Sequence, residues 1–151
     1  MTEVSPMRLW VMRVMYLIMA GGIGATIWPL IVSHDPEMPR MTGVALALLG
    51  TVGLLSLLGL RYPVQMIPVL LFELSWKAIW LAAFALPRWL DGSLDEGMRG
   101  TIFETSLGVV LLAVIPWRYV WMNYVAKPGD SWSFRRATEM REPPGRASPL
   151  T

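Results

Sequence analysis

Cysteine is absent from this chain, and histidine occurs once, at His34. Those two shortages remove several kinds of chemistry at the start. A thiol–disulfide oxidoreductase needs paired cysteines. A membrane b-type cytochrome needs axial ligands, usually several histidines within its spans. A zinc centre needs three or four clustered nitrogen, sulfur or oxygen ligands. None of these can be assembled here from the usual side chains, so no metal and no cofactor are expected. Charge is scarce too: Asp, Glu, Lys and Arg make up 16% of 151 residues and leave a formal charge of +2. So small a surplus, much of it near the carboxyl end, does not describe a nucleic-acid binder.

What the chain has in quantity is apolar sequence. Hydrophobic residues make up 54% of it and the mean hydropathy is +0.48, too apolar for an ordinary soluble domain. Four stretches, at about 10–32, 41–60, 64–86 and 101–122, each approach the roughly 20 residues that a spanning helix needs. They predict an all-α fold, a four-helix transmembrane bundle over residues 1–125. The first stretch begins like a signal peptide, with Arg8 and Arg13 before an apolar run and the small residues from Ala20 to Ala25. It then continues through Trp28 to Val32, beyond a typical signal core, and reads as a retained helix.

Lys and Arg set the expected orientation. Nine lie on the side of the two termini: Arg8, Arg13, Arg61, Arg118, Lys127, Arg135, Arg136, Arg141 and Arg146. Three lie on the other side (Arg40, Arg88 and Arg99), and Lys77 lies inside a span. The positive-inside rule then places both termini in the cytoplasm of a multi-pass inner-membrane protein. The connections at 33–40 and 87–100 lean acidic, and the very short Arg61-Tyr62-Pro63 makes an antiparallel hairpin of the second and third helices. Trp10, Trp28, Trp89, Trp117 and Trp121 fall near expected helix ends, where indole rings favour the headgroup region. Arg13 and Arg118 read as interfacial anchors that reach lipid phosphates, together with Trp117 and Trp121. Residues 126–151, rich in Arg, Pro, Ser and Glu, read as a disordered basic tail.

Helices in lipid associate through close packing and interhelical hydrogen bonds, since lipid tails are as apolar as leucine. Gly21-x-x-x-Ala25 in the first stretch supplies small residues, as do Gly43-x-x-x-Ala47-x-x-x-Thr51, Gly50, Gly53, Ser56 and Gly59 in the second. Those two helices are expected to pack closely, against each other or across an oligomer interface. Gly22-x-Gly24 lacks the third glycine and the preceding strand of a phosphate-binding turn and reads as a packing device. Pro116 is expected to loosen or kink its helix, as is Pro68 unless it sits in the first turn of the third helix.

The third stretch is unusual because Glu73 and Lys77 sit four residues apart, acid first, near its middle. That is the favourable order for a helical ion pair. Each charge costs on the order of 2.5–3.5 kcal/mol at the bilayer centre on insertion scales, so the pair should face the bundle interior. Glu104, expected near the outer end of the fourth stretch, is placed to meet Lys77 across the helices. Trp76 and Trp80 flank the lysine and offer cation–π contact. Two readings of Glu73, Lys77, Glu104, Trp76 and Trp80 stand side by side. One is a polar ligand site, and the other is a buried network that fixes helix packing. Ser33-His34-Asp35 holds the letters of a triad, but adjacent residues cannot adopt triad geometry.

Leu60-Arg61-Tyr62-Pro63, Phe72-Glu73-Leu74-Ser75-Trp76-Lys77 and the run from Ile115-Pro116-Trp117-Arg118-Tyr119 to Pro128-Gly129-Asp130 carry a resemblance. The chain resembles uncharacterised small four-helix bacterial inner-membrane proteins and, in size and layout, DoxX-like proteins. The second likeness implies an accessory membrane subunit. Small multidrug exporters share the helix count but carry a functional Glu in their first helix, where this chain has no acid; that role would fall to Glu73 or Glu104.

No nucleophile–base pair, metal set or cofactor motif is present, which argues against an enzyme and leaves no catalytic residue to name. The leading expectation is a non-enzymatic accessory or scaffold subunit. The alternative is a small carrier or amphiphile-binding protein that uses the Glu/Lys cluster. Expected partners are membrane lipids and another membrane protein or a second copy of the chain.

Overall fold

The computed structural model describes residues 4–129, which are helical apart from short connections, with no strand among them. Four helices are long and apolar enough to cross a bilayer: α1 (Pro6–Val32), α2 (Arg40–Arg61), α3 (Ile67–Leu90) and α4 (Glu96–Val114). A short turn of helix, α5 (Trp117–Val120), follows. The expected tail lies outside the described residues from position 130 onward.

Capping residues and prolines explain where the helices depart from the hydropathy pattern. Ser5 caps α1, its hydroxyl accepting from Arg8 N–H at 3.4 Å, and Pro6 occupies the first turn, so α1 starts before the apolar run. Asp95 caps α4 in the same way, accepting from Met98 N–H at 2.7 Å. At the other end Pro116 forces Ile115 into an extended conformation (ψ 126°) and the helix stops. The continuous helix expected over 101–122 is therefore shifted toward the amino end and cut. Glu104 consequently falls at the middle of the 19-residue α4 rather than near one end.

In α3 the widened turn Leu81–Ala85 precedes Pro87, which has no N–H to donate to the Ala83 carbonyl. Leu86 N–H reaches back to the Leu81 carbonyl instead, and the helix continues to Leu90.

The large buried side chains gather toward the end of the bundle that holds the termini. Met12, Tyr16 and Met19 of α1 meet Ile67 and Leu70 of α3, and Leu111, Val114 and Ile115 at the end of α4. Three long contacts stitch this end together. Arg8 Nη2 donates to the Ile115 carbonyl at 3.3 Å, and Arg13 Nε donates to the Leu60 carbonyl at 3.2 Å. Tyr16 hydroxyl donates to the Pro63 carbonyl at 3.0 Å. Each acceptor lies where a helix ends and its carbonyls lose their partners. The Leu112 carbonyl, which Pro116 cannot serve, receives the Trp117 indole N–H at 2.7 Å.

α1 and α2 pack through the glycines of α2. Gly59 lies under the Tyr16 ring, Gly53 under Ile23, and Gly50 under Ile31 and Trp28. Gly21, Gly22 and Gly24 of α1, and Gly43 of α2, face open space instead. The expectation of close packing therefore holds for Gly50, Gly53 and Gly59 of α2 and not for Gly43 or the Gly21-x-x-x-Ala25 step. Gly59→Ala would drive a methyl group into the Tyr16 ring and should lose about 1–3 kcal/mol. Gly21→Ala should change stability by no more than about 0.5 kcal/mol or raise it slightly. Unfolding of the purified protein in sodium dodecyl sulfate, followed by circular dichroism, compares the two.

Candidate functional site

Away from the packed end the helices leave a cleft of about 610 Å³. Its two walls differ in chemistry. α1 and α2 contribute Ile23, Ile27, Leu48 and Leu49, with Thr26, whose hydroxyl donates to the Gly22 carbonyl, whereas α3 and α4 contribute Glu73, Lys77, Trp76, Trp80 and Glu104. All five residues singled out from the sequence as a candidate cluster thus line one space.

The α3 wall is organised around Glu73, which is only 6% exposed. Its Oε1 lies 3.2 Å from Lys77 Nζ, and its Oε2 accepts from Trp76 Nε1 at 2.7 Å. Helical spacing causes both contacts, since positions three and four residues on share a face with Glu73. Lys77 Nζ also lies 5.0 Å from the centre of the Trp76 ring, so the indole donates to the carboxylate and supports the ammonium. This is the single ion pair among the described residues.

Glu104 behaves differently. It lines the same cleft, exposed, and makes neither an ion pair nor a side-chain hydrogen bond among the described residues. The Lys77–Glu104 contact expected across the helices does not form. Lys77 instead lays its stem over Gly108 of α4, where a Cβ would stand 2.5 Å from Lys77 Cδ. Sequence reasoning did not single out Gly108. Its signal was available: Gly108 follows Glu104 by four residues, which puts both on one face of α4 at the depth of a long cation.

The other expected residues lie at the packed end or in the loops. Arg13 is bound to the Leu60 carbonyl, while Trp117 and Arg118 are exposed on α5, with Trp121 exposed just after it. Arg8, not proposed as a site residue, ties α1 to the break after α4. Around the α1–α2 connection the hydrogen bonds are local. Ser33 hydroxyl donates to the Pro29 carbonyl, and His34 Nδ1 sits 2.9 Å from the Ile31 carbonyl. Asp35 accepts from Glu37 N–H. These three side chains do not converge. No group of three or more His, Cys, Asp or Glu suited to a metal ion is found among the described residues.

No protein family, curated protein or solved structure matches this chain. A buried ion pair broken on one side leaves an uncompensated charge, typically worth about 3–5 kcal/mol of destabilisation. Lys77→Met alone should fall in that range, while Lys77→Met combined with Glu73→Gln should recover most of it. A double-mutant cycle in sodium dodecyl sulfate unfolding measures the difference.

Proposed function

We propose that this protein is a multi-pass protein of the bacterial inner membrane, with both termini in the cytoplasm, that binds an amphiphile in its lateral cleft. The observation that carries the reading is the division of the cleft into an apolar wall from α1 and α2 and a charged, aromatic wall from α3 and α4. A molecule with an apolar body and a polar head matches both walls at once. The volume, about 610 Å³, suits such a guest, since small-molecule sites commonly fall between about 300 and 1,000 Å³. The Glu73–Lys77–Trp76 arrangement holds the polar wall rigid before any ligand arrives. Binding, rather than reaction, is the role proposed, because nothing in the cleft pairs a nucleophile with a base.

A second reading, an accessory or scaffold subunit, draws on a separate observation. Gly21, Gly22, Gly24 and Gly43 present faces with nothing against them, and small residues are what membrane helices use to approach each other. Purification from native membranes into nanodiscs, with mass spectrometry of proteins and lipids, separates the two. A bound amphiphile lost in Ala45→Trp, which fills the cleft, supports the first; a stoichiometric partner protein retained in that variant supports the second.

The orientation is directly testable because the chain has no cysteine of its own. Cysteines introduced singly at Ser33 and Ser93 should react with a membrane-impermeant maleimide added outside intact cells. A cysteine at Ser5 should react only after the cells are opened.

A further inference from the structure

We propose that the head of the cleft's ligand is cationic and that the Glu104 carboxylate is its counter-charge, an inference that rests on the cleft being an amphiphile site. Three ionisable side chains line the cleft, two acids and one base. Glu73 and Lys77 neutralise each other at 3.2 Å, and the second oxygen of Glu73 is taken by Trp76. The ammonium of Lys77 is held between that carboxylate and the Trp76 ring. Glu104 is left over, at the middle of α4, open to the cleft and matched by no group among the described residues.

Each kind of head meets this surplus differently. An anionic head would enter a space whose net formal charge is already −1 and whose only ammonium is engaged. A neutral head could offer Glu104 a hydrogen bond but no compensating charge. A cationic head compensates Glu104, and Trp80, which lines the same cleft, is the kind of side chain whose ring attracts an organic cation. Ile23, Ile27, Leu48 and Leu49 then accept the tail. The ligand class is thus an ammonium or other organic cation carrying an apolar chain.

The test compares two probes with the same tail, dodecyltrimethylammonium and dodecyl phosphate. Each is equilibrated by dialysis with the full-length protein in dodecyl maltoside micelles, and binding to protein-free micelles is subtracted. Dodecyltrimethylammonium should bind at least about tenfold tighter. Glu104→Gln should erase that preference, and Glu104→Asp should retain it, with circular dichroism reporting the fold of each variant. Equal or tighter binding of dodecyl phosphate to the wild type overturns the cationic assignment whether or not the variants fold. So does a preference that survives Glu104→Gln. In both of those results, binding that Ala45→Trp abolishes would leave the cleft reading standing. Binding of neither probe, or binding indifferent to Ala45→Trp, removes the cleft reading itself and this inference with it.

Discussion

A carbonyl freed at a helix end and buried away from water must find a donor inside the protein. That constraint shapes the packed end of this bundle. α2 stops at Arg61, α4 stops at Val114 just before the extended Ile115, and the α2–α3 turn passes through Pro63, each leaving acceptors without helical partners. Arg13, Arg8 and Tyr16, all on the first half of α1, supply the donors. Two of the three donors are also cations at helix C-terminal ends, where the helix dipole favours positive charge. α1 therefore joins α2, the α2–α3 turn and the end of α4 through hydrogen bonds at one end, and packs its side chains along α2.

The cleft follows from where that stitching is absent. Toward the connections at 33–39 and 91–95 the helices lack long interhelical hydrogen bonds, and few large side chains are buried there. The space that opens lies at the depth of Glu73, Lys77 and Glu104. Its polar wall stays ordered because one α3 face carries an acid, an indole donor and a base within two turns. Gly108 lets α4 approach the lysine stem closely enough to shield it. One half of the bundle provides stability, and the other provides a lined space.

Much of this was legible in the residues. The four spans followed from apolar length alone, and the Glu73–Lys77 pair followed from a spacing of four on one helix. Local rules of this kind need no knowledge of neighbours. The fourth span was misplaced because hydropathy responds to apolar content, whereas Asp95 and Pro116 set helix ends through a hydrogen bond and a steric clash. Arg13 was read as a lipid anchor because snorkelling is what a lone arginine near an interface does. Its engagement with Leu60 depended on where α2 ended against it. The small residues of α1 looked equivalent to those of α2, and only the crossing of the two helices distinguished them.

Sequence by itself therefore determined the number of helices long and apolar enough to span a bilayer and the ion pair internal to α3, since each is set by composition or by neighbours a few residues away. Tertiary structure alone decided that Glu104 finds no partner among the described residues while Lys77 turns to Gly108, and that apolar side chains of α1 and α2 face the charged wall. Those outcomes depend on depth, rotation and crossing between helices distant in the chain. No local rule carries that information, because each helix settles its rotation only by burying its bulk against the others.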